Sequence, residues 1–135
     1  MKTKKTPAEQ AGNPTSGIVT EYFADGAVSN VGKYAAGEKT GVWKFYFVNG
    51  KLKAVGKFAK NKLVGPWKWY RENGELMQTG SFDDQERKSG VWKRYYADGT
   101  LMDEGAFKAG KKTGEWRVYD KAGKLKKTTS HSSAT

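Results

Sequence analysis

The sequence predicts an all-β fold, an antiparallel β-meander of about five hairpins forming an elongated, twisted ribbon. Three observations lead there. Gly17, Gly41, Gly65, Gly90 and Gly114 recur at steps of 24, 24, 25 and 24 residues, a period that marks an array of supersecondary units. Six residues into each unit, counting from the glycine, stands a tyrosine: Tyr22, Tyr46, Tyr70, Tyr95 and Tyr119. Soon after comes a turn glycine, Gly26, Gly50, Gly74, Gly99 or Gly123, and this glycine density disfavours helix.

Each unit reads as one hairpin. Runs such as VWKFYF and VWKRYY are β-prone, of strand length, and lead into Asn49-Gly50 and Asp98-Gly99, a strong hairpin signal. Ala122-Gly123 favours a three-residue turn with only the glycine left-handed, because alanine resists the positive φ that both central positions of a type I′ turn need. That register sets Tyr46, Tyr70, Tyr95 and Tyr119 opposite Leu52, Leu76, Leu101 and Leu125. The two-residue alternative instead sets each tryptophan opposite the second glycine of its unit. Units occupy 17–40, 41–64, 65–89, 90–113 and 114–127. Residues 1–16, basic with Pro7 and Pro14, are expected to form a mobile arm, and 128–135 a loose tail.

Third in the units come Val19, Trp43, Trp67, Trp92 and Trp116, and the first four close with Gly32 and Tyr34, Gly56 and Phe58, Gly80 and Phe82, and Gly105 and Phe107. Identical positions return every second strand, so they form ladders about 9.6 Å apart. The tryptophan ladder is expected to be core, under the arm or a second ribbon, or else an uncovered patch.

Composition narrows function. No cysteine means no disulfide or thiolate metal site. Nothing resembles a signal peptide or a membrane-length apolar run, so the chain is expected to be soluble and cytoplasmic. The single histidine, His131, falls in the tail, which leaves no triad or zinc cluster to assemble. Asp103 and Glu104 are neighbours on a strand and point to opposite faces, and Asp83-Asp84 lie in a linker. No catalytic, cofactor or metal site is expected, and the chain is read as a non-enzyme.

Charge points to partners. The formal net charge is +11, and residues 41–64 hold six lysines and no acid. The fourth position of units two to five reads Lys44, Lys68, Lys93 and Arg117, two residues from the tyrosine and so on its face. These cations with Tyr46, Tyr70, Tyr95 and Tyr119 are the first candidate binding surface, and Trp43, Trp67, Trp92 and Trp116 the second. The basic stripe either shields the tyrosines with lysine stems or engages an anionic partner.

The pattern Gly-x-Trp-x-x-Tyr, three residues, Gly-x-Leu and then Gly-x-aromatic, at a 24-residue step over residues 17–127, resembles the MORN-repeat-variant family, particularly its bacterial YwqK-type antitoxin-like members. Val19 in place of tryptophan and the missing closing pair of unit five are departures expected of terminal repeats. The resemblance implies a β-meander used for binding or scaffolding, and for some members neutralisation of a toxin. Three functions follow as expectations. The first is a protein-binding module, of antitoxin or immunity type, for an acidic protein. The second is an adaptor for anionic membrane lipid or nucleic acid. The third is a scaffold that self-assembles through sheet edges. Lys124, Lys126 and Lys127 on the last strand disfavour edge pairing, so a monomer is expected.

Overall fold

The structure, a computed structural model, describes residues 16–132. Ten strands form one antiparallel sheet in chain order: β1 Gly17–Tyr22, β2 Val28–Ala35, β3 Glu38–Tyr46, β4 Leu52–Ala59, β5 Lys62–Tyr70, β6 Leu76–Phe82, β7 Lys88–Tyr95, β8 Leu101–Lys108, β9 Lys111–Tyr119 and β10 Leu125–His131. The described residues contain no helix, and the meander of five hairpins is as the sequence predicts.

Two kinds of turn alternate along the chain. Within a unit, the Gly50 N–H donates to Phe47 O (2.9 Å) and the Phe47 N–H to Lys51 O (2.8 Å), with Gly50 at φ 89°. This is the three-residue turn with a left-handed glycine, and the other four units repeat it. Between units, Ala36-Gly37, Lys60-Asn61 and Ala109-Gly110 take positive φ at both positions, the two-residue type I′ form. The links are therefore tight hairpins, and alanine does accept positive φ in two of them. The extra residue of the third link, between β6 and β7, converts it to the three-residue kind, with Glu86 at φ 65°.

Tyr46 pairs with Leu52 as the three-residue turn requires, yet Trp43 also pairs with Gly56, the contact expected of the rival register. Both hold because the ladder slips once between them: Phe45 faces Ala54, which leaves Lys53 as an extra residue in a bulge.

From unit two on, each opening glycine lies inside a strand. Between the pairs Val55–Lys68 and Lys57–Val64, Gly56 alone faces the three residues 65–67, and Gly65 there has φ 68°. The resulting kink lays the Trp67 indole on Gly56 of the preceding hairpin, where an added Cβ would sit 1.9 Å from the ring. Gly32, Gly80 and Gly105 lie the same way beneath Trp43, Trp92 and Trp116. Each indole N–H reaches the carbonyl just after the covered glycine, at Lys33, Lys57, Ser81 and Ala106, all at 3.1 Å.

This contact explains both terminal departures. Among the described residues no hairpin precedes unit one to offer a glycine, and Val19 stands there in place of the indole. Among the described residues no indole follows unit five, and Thr129 takes the glycine position opposite Trp116. His131 takes the place of the closing aromatic, edge-on to Trp116 at 6.3 Å. Residues 128–131 thus belong to β10 and are not the loose tail expected of them, because their backbone completes the ladder with β9. Residues 1–15 and 133–135, most of the expected arm and the rest of the tail, lie outside the described residues.

No second ribbon covers the tryptophans among the described residues. The core lies along the single sheet: Trp43, Ala54, Phe58 and Trp67 are buried together, with Tyr34, Phe45, Leu63, Trp69 and Phe82 packed around them. Closing aromatics meet the indoles edge-on, as Phe58 meets Trp67 at 5.3 Å and 90°, the arrangement favoured by ring quadrupoles.

Candidate binding faces

The tyrosine face is built from three parallel rows. Its middle row crosses all ten strands through successive backbone pairs: Thr20–Val31–Lys44–Val55–Lys68, continuing as Thr79–Lys93–Glu104–Arg117–Thr128. The cations fall on alternate strands, about 9.6 Å apart. Two residues along each strand on one side stand Tyr46, Tyr70 and Tyr95, paired with leucines. On the other side stand Val42, Pro66 and Val91, with Val42 and Val91 each 58% exposed.

The expected four-cation ladder is two different things. Lys44 and Lys68 are exposed, Lys93 is half-buried, and among the described residues none of the three forms an ion pair. Arg117 bonds Glu104 (3.3 Å) and Glu115 (3.4 Å), and the Tyr119 hydroxyl donates to Glu104 at 2.6 Å. That bond, ahead of desolvation, pushes the Tyr119 phenol above its ordinary value. Glu104 thus closes the C-terminal end of the row, and the free positive charge lies in units two to four. Asp103 and Glu104 do diverge to opposite faces, each onto its own arginine.

The tryptophan face carries a feature that position-by-position reading missed. The fifth residue of each unit varies: Glu21, Phe45, Trp69, Arg94 and Val118. Where it is aromatic, its ring slots between successive indoles. Phe45 stacks on Trp43 (6.2 Å) and Trp67 (6.3 Å), and Trp69 on Trp67 (5.9 Å) and Trp92 (5.6 Å), all within 24–30° of parallel. The second tryptophan of GPWKWY is such a slat.

In unit four the slat is missing. Arg94 is drawn onto its cross-strand neighbour Asp103, Nε to Oδ1 at 3.0 Å and Nη2 to Oδ2 at 2.5 Å. Between Trp92 and Trp116 this leaves a cleft of about 290 Å³. Lys88 and Lys112 stand at its rim, Lys88 Nζ 4.9 Å from both the Trp92 and Phe107 rings and Lys112 Nζ 4.6 Å from Trp116. With Lys39 over Trp43 at 5.2 Å, they occupy the position two residues before the opening glycine. Extending the repeat by those two residues would have exposed this column, Lys39, Leu63, Lys88 and Lys112, in the sequence.

An open sheet built from one recurring hairpin, with each side chain laddered across it, defines a repeat protein that offers two faces. The chain belongs to the MORN-repeat-variant family: the MORN repeat variant matches residues 39–60, 63–84, 88–109 and 112–132, more than half of the chain. Each matched segment holds one three-residue-turn hairpin. Repeats of this family serve in general as protein- or membrane-binding modules. No curated protein matches the sequence. Among solved structures, a mutant of S. aureus TarM in complex with fondaparinux, alpha-GlcNAc-glycerol and UDP is similar at 15% identity and TM-score 0.46, over 78% of this chain and 22% of that one. A second TarM crystal structure has 15% identity and TM-score 0.43, over 76% and 22%. The chain spans about a fifth of the length of those proteins, and a likeness this weak says nothing of activity.

Proposed function

We propose that the protein is a non-enzymatic, cytoplasmic binding module whose tyrosine face docks on an acidic surface of a protein partner. One observation carries the reading: Lys44, Lys68 and Lys93 stand in line, with no carboxylate partner among the described residues, between a row of tyrosines and a row of exposed Val42, Pro66 and Val91. Apolar, aromatic and cationic groups side by side supply contact area and charge complementarity to one docking surface. The non-enzymatic part is supported by the carboxylates Asp103 and Glu104 being engaged by arginines on opposite faces. An antitoxin or immunity role, with the toxin as the acidic partner, is the specific form that the family resemblance suggests.

The test replaces Lys44, Lys68 and Lys93 with serine and leaves Arg117 in place, because Arg117 holds Glu104. Capture from lysate, followed by association kinetics with the captured protein at two salt concentrations, should show slower association for the variant, with dissociation little changed. Single-stranded nucleic acid and anionic vesicles serve as competitors. Binding to nucleic acid that falls by about 0.7 log units per decade of salt for each phosphate contacted would assign the row to an anionic polymer instead. Variant and wild type binding every one of these alike would remove the tyrosine face from function.

A further inference from the structure

We propose that the cleft between Trp92 and Trp116 is a receptor site for an aromatic side chain of a protein partner, flanked in that partner's own chain by carboxylates. The site lies on the tryptophan face and does not depend on the role proposed for the tyrosine face.

The protein itself shows what fits. Two equivalent gaps exist in the ring stack, one between Trp43 and Trp67 and one between Trp67 and Trp92, and each holds a flat ring, Phe45 or Trp69. The gap in unit four has the same walls: the Trp116 indole bonds Ala106 O and meets Phe107 edge-on at 5.1 Å, as Trp67 bonds Lys57 O and meets Phe58. The ring is absent, and the cleft left in its place is lined also by Gln78, Arg94 and Asp103. Arg94 stands at the ring's position with its guanidinium bonded to Asp103 on β8, where the earlier gap has Ala54.

Charge selects the neighbours of that ring. Arg94 and Asp103 neutralise each other, which leaves Lys88 and Lys112 at the rim, with no carboxylate partner among the described residues and ammonium groups against the rings. Carboxylates beside the inserted ring would meet these two lysines, and an inserted ring buried between aromatic walls is the kind of anchor that concentrates binding energy. The segments outside the described residues do not supply the ring, since residues 1–15 and 133–135 contain no aromatic residue.

The test uses a capped peptide, Asp-Glu-Trp-Glu-Asp, titrated into the intact protein while the indole N–H resonances are followed by NMR. The Trp92 and Trp116 resonances should shift and saturate together, with those of Trp43 and Trp67 unmoved. A peptide with glycine in place of its tryptophan, or with amides in place of its acids, should bind at least about tenfold more weakly, a change of about 1.4 kcal/mol.

The double variant Arg94→Phe/Asp103→Ala copies the Phe45–Ala54 pair into unit four and fills the gap. It should keep the strand circular dichroism of the wild type and lose the peptide. Should that variant not fold, Arg94→Trp, which copies Trp69, replaces it. Lys88→Gln/Lys112→Gln should weaken binding and flatten its salt dependence. Equal affinity for the filled variant, equal binding of the glycine peptide, shifts spread over all the indoles, or no saturable shift at all would each overturn the proposal. None of these results touches the tyrosine-face reading, whose residues the assay leaves unchanged.

Discussion

Gly56→Ala should be among the most damaging single substitutions in the molecule, although it adds one methyl group. The new Cβ would lie 1.9 Å from Cδ2 and 2.2 Å from Cε2 of Trp67, against about 3.5–4.0 Å for ordinary contact. The indole must move by about 1.5–2 Å and, being 3% exposed, has no space to do so within the stack. It then loses its hydrogen bond to Lys57 O, about 0.5–1.5 kcal/mol. The stacking on Phe45 and Trp69 and the edge contact with Phe58 go as well, about 0.5–1.5 kcal/mol for each pair. The sum approaches the roughly 3–5 kcal/mol of a buried Trp→Ala change, a large part of the ~5–15 kcal/mol that holds a domain together. A double-mutant cycle isolates the cause. Once Trp67→Ala has removed the ring, Gly56→Ala should cost nothing and even gain about 0.5 kcal/mol, since glycine is the poorer strand residue. Urea unfolding followed by strand circular dichroism gives all four corners, with an expected coupling of about 3 kcal/mol or more. Coupling below about 0.5 kcal/mol would refute the assignment of the second glycine to the following tryptophan.

Ala109→Asn should stabilise, because Ala109 holds φ 50° at the first position of its type I′ turn and asparagine tolerates that region better. A gain of about 0.5 kcal/mol is expected as a higher Tm, and a lower Tm would contradict the turn assignment. Asp83 is held below its ordinary value of 3.8 first by the Arg87 backbone N–H, with the Gln85 N–H and the Arg87 side chain adding to it. Its contribution is therefore fully present above that value and is lost as pH falls through the lowered folded value. Asp83→Asn should lose less stability than the wild type when the urea midpoint is compared between about pH 5 and about pH 2.5, and an unchanged difference would dismiss the role of Asp83.

The hairpins, their turn type and the face shared by Lys44 and Tyr46 were legible because they follow from period and alternation, which sequence displays directly. What was not legible depends on the kink at each opening glycine. Period alone shows Gly41 and Gly56 recurring but not that Gly65, at φ 68° inside a strand, throws Trp67 back over Gly56 of the previous hairpin. Without that displacement the tryptophans need an outside cover, and without the extra residue at Lys53 the two hairpin registers exclude each other. The tail assignment of Thr128–His131 failed because polar residues extend a sheet when the neighbouring strand supplies the ladder, and His131 meets Trp116 where the other units have their closing aromatic. The pairing of Arg117 with Glu104 was readable in principle, since both lie in one row, but only once the slip between Glu104 and Ala106 is known.

The repeat separates what must stay constant from what is free to differ. Opening glycine, tryptophan, covered glycine and closing aromatic form one interlocked contact between successive hairpins, so changing any of them disturbs the neighbouring unit as well. The fifth position and its cross-strand partner sit within that frame without holding it up: Glu21–Asn30, Phe45–Ala54, Trp69–Gln78, Arg94–Asp103 and Val118–Lys127 are all accommodated by the same backbone. A ring at this position extends the stack, and a guanidinium drawn onto a carboxylate opens it. The tryptophan face is thus free to change from one unit to the next while the fold does not, because each variable pair occupies one site in a row whose geometry the invariant residues maintain.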